Sequence, residues 1–207
     1  MGEMPMSRSK VLEVAESQVG VREEDGNRQK YGEAYGVNGV PWCIQFLWWI
    51  FAQAGESGAF YGGGKTASAG ELLRWAKKNG RTKPPAQLAR GDLVILCFDG
   101  SGDTQHGGIA TSPQGYKFIT IEGNTSSSSE DGGGAVCVKT RNRDQIVGVI
   151  DPPYLPEDVP PSAWYAEDVR YCLEHGIMTG YPDGSFNPSQ GVSRAEIARL
   201  MRRVYEK

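Results

Sequence analysis

From Cys43 to Ala54 the chain reads CIQFLWWIFAQA, apolar nearly all the way round a helical circuit. A helix of that kind has no face to offer water, so it must be enclosed by the rest of the fold, and Gly55 stops it. The enclosing elements are legible on either side. Lys10 to Val19 places Val11, Leu12, Ala15 and Val19 on one side at helical spacing, which predicts an amphipathic helix. A second helix opens with the capping box Ser68 to Glu71, runs through Leu72, Trp75 and Ala76, and ends before Gly80. Arg22 to Val40 is polar and glycine-punctuated, and is expected as a loop or short helix. After Arg90 the pattern becomes short β runs, 92–98, 106–111, 116–122, 135–140 and 145–150, separated by Gly, Ser, Asp or Asn clusters and expected to form one antiparallel sheet. Helices first and strands afterwards is the α+β order, with helices on one face of the sheet.

A length of 207 residues leaves room for this core and one small module more. The segment DPPYLPEDVPP marks the division, because proline neither continues a helix nor donates into a sheet. The expected organisation is a first domain over residues 1–150, a linker over 151–155 and a small helical module over 156–207. That module should hold a helix from Trp164 to His175, the loop GIMTGYPDGSFNPSQG, and a last helix opened by the capping box Ser193 to Glu196. In the last helix Ile197, Leu200, Met201 and Val204 are expected as the buried stripe. Net charge is −3 and the 22 Lys and Arg are scattered, so nucleic acid is not an expected partner. The longest apolar stretch, Phe46 to Ala52, is too short to span a bilayer. MGEMPMSRSK lacks the apolar core of a secretory signal, so any export is expected to depend on something outside this sequence.

Chemistry centres on one of four cysteines. Cys43, Cys97, Cys137 and Cys172 form no CxxC pair, and with only His106 and His175 available no zinc spacing exists, so no metal site is expected. Cys97 and Cys137 sit in apolar strand-like runs and read as small buried hydrophobes. Cys43 instead follows Pro41-Trp42 at the start of the enclosed helix, where unpaired NH groups and the positive dipole end favour a thiolate. A thiolate nucleophile needs an imidazole, and His106, at the start of the strand HGGIAT, is the one histidine before residue 175. The imidazole in turn needs an acceptor. Glu122 and Asn124, at the end of ITIEGN, would lie beside His106 in a hairpin. Each residue alone has an ordinary reading as core cysteine, turn residue or strand exit. Their conjunction gives the order of a papain-like site.

The segments EEDGNRQKYGEAYGVNGVPWCIQFLWWIFAQAG, ARGDLVILCFDGSGDTQHGGIA and TIEGNTSSSS resemble the signature blocks of the CHAP family, cysteine, histidine-dependent amidohydrolases/peptidases related to NlpC/P60 enzymes. The resemblance implies a papain-like fold and hydrolysis of a peptidoglycan amide, either an N-acetylmuramoyl-L-alanine bond or a stem or cross-bridge peptide bond. It also implies Cys43 as nucleophile, His106 as general base and then acid, Glu122 orienting His106, and Asn124 as a further polar residue. The backbone NH of Cys43 is expected in the oxyanion hole, with Asn38 or Tyr35 as second donor and Trp42 beside the groove. No cofactor is required. Some family members bind calcium near the nucleophile, but Glu23, Glu24, Asp25 and Asn27 lack the alternating acidic pattern.

Residues 157–207, including GYPDGSFNP and the SRAE tetrapeptide, resemble one S-layer homology (SLH) module. That implies anchoring to a secondary cell-wall polymer, with Trp164, Arg194 and Glu196 as contacts and Asp183 and Gly184 shaping the loop. Such modules usually come in threes. A single copy is therefore expected either to dock on the first domain or to assemble chains through itself, leaving monomer and oligomer open. Both halves imply a wall lytic enzyme acting at the bacterial cell wall, of the prophage endolysin type if nothing directs export. The competing reading from another class is a non-catalytic wall-binding or adhesion protein that uses the papain-like groove only to bind. A third is an intracellular thiol amidase or acyltransferase acting on a small molecule, which leaves the C-terminal module unexplained.

Overall fold

The computed structural model describes residues 6–113, 115–126, 134–181 and 184–206. Six α-helices and six strands follow in the order α1 Met6–Ser17, α2 Lys30–Tyr35, α3 Cys43–Gln53, α4 Ala69–Lys78, β1 Thr82–Lys83, β2 Leu93–Leu96, β3 His106–Ser112, β4 Lys117–Thr125, β5 Ala135–Asn142, β6 Ile146–Ile150, α5 Ala166–Glu174 and α6 Arg194–Tyr205. The strands form one antiparallel sheet in the order β1-β6-β2-β3-β4-β5. The expected α+β class and the single antiparallel sheet are what the chain forms. The two-residue β1 carried too little pattern to be read beforehand.

The enclosed helix is α3. Ile44, Phe46, Leu47, Ile50 and Phe51 are buried, and they share one core with Val11, Leu12 and Ala15 of α1 and with the sheet residues Leu93, Ile95, Ile109, Ile121, Val136 and Ile150. The alternate residues Val94, Leu96, Ala110, Phe118 and Val149 form a second cluster with Leu88 on the far face. β2 therefore reads as an unbroken LVIL, buried on both faces.

Two glycines set how closely α3 lies on the sheet. A Cβ on Gly123 of β4 would stand 2.6 Å from the Trp42 ring and 2.7 Å from the Phe46 Cβ, and one on Gly107 of β3 would stand 2.5 Å from the Ile44 Cδ1. The start of α3 can approach the ends of β3 and β4 only because both positions lack a side chain.

The C-terminal segment has two features of note. The stretch after Ile150 is packed down on the first part of the chain, one of the two arrangements expected for a single module. Tyr154 stacks on Phe51 at 5.7 Å between ring centroids, Tyr154 OH donates to the Gly91 carbonyl at 2.7 Å, and Ser7 Oγ donates to the Leu155 carbonyl at 2.8 Å. Arg170 of α5 and Glu56, both buried, pair across the junction at 3.0 Å. The second is α6, which departs from the expected buried stripe. Ile197, Met201 and Val204 are each about half exposed, and none of the helix is buried. The module's own small core is instead Leu155, Val159, Ala166 and Val169, with Leu173 and Phe186 against it. The apolar period of α6 is real, but among the described residues no element covers that face.

Candidate active site

Cys43 is the first residue of α3. Trp42 is its N-cap and makes no side-chain capping bond, so the first NH groups of the helix are not capped by it. The Cys43 side chain is almost entirely buried, and its sulfur is near enough to His106 to raise the ring's affinity for a proton. His106 opens β3, paired with Leu96 of β2. Its Nε2 lies 3.0 Å from Glu122 Oε2 on β4, an ion-pair distance, although the N–H direction falls outside good hydrogen-bond alignment. β3 and β4 are neighbours in register, Ile109 opposite Ile121 and Ala110 opposite Thr120, and this brings His106 and Glu122 together.

The charges on this row are strongly biased. Burial alone would push the His106 ring down, but the Cys43 sulfur and the Glu122 carboxylate outweigh it and bring the ring up to about 9. Burial pushes the Glu122 carboxyl up, yet Arg141 and His106 outweigh that and hold it down at about 2. Near neutral pH the ring is therefore protonated and the carboxylate ionised. A protonated imidazole beside a sulfur is equipped to hand a proton to a leaving group.

Arg141 was invisible to sequence reasoning. It lies on β5 opposite Phe118, and its guanidinium reaches along the sheet to Glu122, Nε to Oε1 at 2.9 Å and Nη2 to Oε2 at 2.5 Å. Thr120 Oγ1 donates to Oε1 as well, at 2.6 Å. Phe98 flanks His106 with ring centroids 5.8 Å apart, and the Arg141 guanidinium lies over the same Phe98 ring at 4.7 Å.

The remaining predicted site residues divide. Asn124 sits two residues beyond Glu122 in a bulge, with a left-handed φ of 54°, and the contacts on His106 and Glu122 among the described residues run to Cys43, Thr120 and Arg141 instead. Trp42 does not border a groove. It is fully buried, stacks on Tyr31 at 5.3 Å and donates its indole NH to Glu23 Oε2 at 2.7 Å. Asn38 uses its carbonyl oxygen to fold its own loop, accepting from the NH of Gln29 and of Gly39. Tyr35 meets Trp48 edge-on at 5.2 Å, with Lys65 over both rings. Neither is engaged with Cys43.

In the C-terminal segment Trp164 is 88% exposed, which sets aside a core role for it. Glu196 caps α6, its Oε2 accepting from the NH and hydroxyl of Ser193 at 2.8 and 2.7 Å. It also lines a cleft of about 350 Å³ with Tyr181, Asn187, Gln190, Arg199 and Arg203. Arg194 begins α6 but is not part of that lining, nor is Trp164. Gly184 takes a left-handed φ of 89°, and Asp183 lies outside the described residues.

Among solved structures, the chain is similar to the endolysin LysIME-EF1, at 20% identity and a TM-score of 0.44 over 73% of this chain and 66% of that one. It is also similar to the peptidoglycan hydrolase RipB of Mycobacterium tuberculosis, at 21% identity and a TM-score of 0.44 over 70% and 63%. Among curated proteins, a cellulosome-anchoring protein of Acetivibrio thermocellus is 37% identical over 51 residues, 25% of this chain and 11% of that protein. The S-layer protein EA1 of Bacillus anthracis is 26% identical over 73 residues, 33% of this chain and 8% of that protein. The chain thus spans only about a tenth of the length of these curated relatives. The family model that matches is the S-layer homology domain, over residues 157–198.

Proposed function

We propose that the protein is a cysteine-dependent peptidoglycan hydrolase that cleaves an amide bond and is held at the cell wall by its SLH segment. The observation that carries this reading is the buried His106–Glu122 pair at 3.0 Å, with the buried Cys43 sulfur at a helix start acting on the same ring. The Cys43 sulfur attacks the amide carbonyl, and the oxyanion takes hydrogen bonds from NH groups at the start of α3. The C–N bond then breaks as His106 gives its proton to the leaving amine, leaving a thioester. Water adds to the thioester carbonyl, His106 takes its proton, and the sulfur leaves as the free acid forms. Glu122 keeps the imidazole oriented and compensates its charge throughout. The SLH match supports wall attachment, with the exposed Trp164 and the cleft beside Glu196 as the surfaces offered to a wall polymer.

A suspension of purified cell walls tests the reading. The wild type should clear it, whereas Cys43→Ala and His106→Ala should bind the walls without clearing them. Clearing by either variant at the wild-type rate would remove the basis of the proposal.

A further inference from the structure

The candidate row ends in a group that the three-residue relay does not require. The register puts Arg141 opposite Phe118, while Cys137 stands opposite Glu122 and Lys139 opposite Thr120. To reach Glu122 the guanidinium must run diagonally along the sheet past Thr120, and it does so in a two-pronged grip on both carboxylate oxygens. With Thr120 on Oε1, the carboxylate accepts three hydrogen bonds, and His106 Nε2 lies beside Oε2 at 3.0 Å. Its plane is then fixed, and the edge that faces His106 is fixed with it. The same guanidinium lies over Phe98, whose ring flanks the imidazole from the solvent side with about half its surface exposed.

We infer that Arg141 is a positioning residue of this site, fixing both the carboxylate that orients His106 and the aromatic ring that shelters it. The inference rests on the hydrolase reading above. Arg141 acts through Glu122 and Phe98, so its loss should lower kcat and leave KM for wall fragments nearly unchanged. The charge balance gives a second signature. Arg141 is the largest of the influences holding Glu122 ionised against its burial. Without it the carboxyl moves upward from about 2, and once protonated Glu122 no longer supports the imidazolium.

The test is the pH–rate profile of Arg141→Met and Arg141→Lys, each shown to be folded by circular dichroism. The expected result for Arg141→Met is a kcat lower by about 10- to 100-fold, the range of losses for an orienting group one step removed from the chemistry, and an acid limb moved to higher pH than in the wild type. Arg141→Lys, which keeps charge but loses the fork, should restore the wild-type acid limb while kcat stays reduced. A folded Arg141→Met with wild-type kcat and profile overturns the role, as does a fall in rate with no movement of the acid limb. Should Arg141→Met fail to fold, Arg141→Lys decides alone, a wild-type kcat counting against the role. Cys43→Ala run alongside separates the two claims. If it is inactive while the Arg141 variants behave as wild type, only the positioning role fails; if it still cleaves, the hydrolase reading fails first.

Discussion

Cys43 and, after it, Glu122 bias His106 toward its protonated form. They raise the ring from 6.5 to about 9, so the bound proton stabilises the fold fully below pH 6.5, and that contribution is lost as pH rises through about 9. Cleavage should decline over the same alkaline range, because the proton needed by the leaving amine is gone. Glu122→Gln keeps the shape and removes the charge. It should slow cleavage by about 10²- to 10⁴-fold, up to the cost of the equivalent change in a serine protease triad, and move the alkaline limb downward. A titration of the His106 ring by NMR that shows no downward movement in Glu122→Gln would contradict this account. The grouping of Cys43, His106 and Glu122 was legible in the sequence because Cys43 and His106 open their elements and Glu122 stands on the strand next to that of His106. Arg141 was not legible. It is one of 22 Lys and Arg, and only the β4–β5 register shows that it reaches Glu122. Trp42 was misplaced for the opposite reason, since adjacency to Cys43 along the chain does not say which way an indole turns.

At the level of elements, the site depends on how closely α3 lies against β4. The Gly123 contacts are a ring and a Cβ attached to backbone, neither of which can swing aside, whereas Gly107 meets the free end of Ile44. Gly123→Ala should therefore cost about 1–3 kcal/mol, as overpacking of a close-packed core does, and should slow cleavage by pushing the α3 start away from His106. Gly107→Ala should be milder on both counts. Thermal melts and wall-clearing rates for the two variants check this, and equal effects would contradict the proposed spacing role. Periodicity located α1, α3 and α4 and the five longer strands within a few residues, since their apolar spacing matches what they bury. The same rule overstated α6, because an apolar stripe predicts a face that seeks cover and cannot say whether cover exists. The capping box of α6 formed as read.

In the whole molecule, the proline-rich boundary proved to be a packed junction. Proline content predicted a break in regular structure, and the break is there, but Phe51, Tyr154 and the Glu56–Arg170 pair fasten the two parts together. Arg170→Met leaves Glu56 buried without its counter-charge and should cost about 3–5 kcal/mol, as for other broken buried ion pairs. Adding Glu56→Gln should recover part of that loss. Denaturant melts of the single and double variants measure it, and simple additivity would mean the pair is not coupled. Under the proposed function, a fastened SLH segment would hold the candidate row at a set orientation to the wall, with the exposed side of α6 still open. The central claim is that Cys43 cleaves an amide in peptidoglycan, and the direct measurement is mass spectrometry of the products from purified peptidoglycan. Wild type should release fragments with new amino termini or free lactyl groups and no new reducing sugar ends, and Cys43→Ala should release none. New reducing ends, or the same amide products from Cys43→Ala, would contradict it.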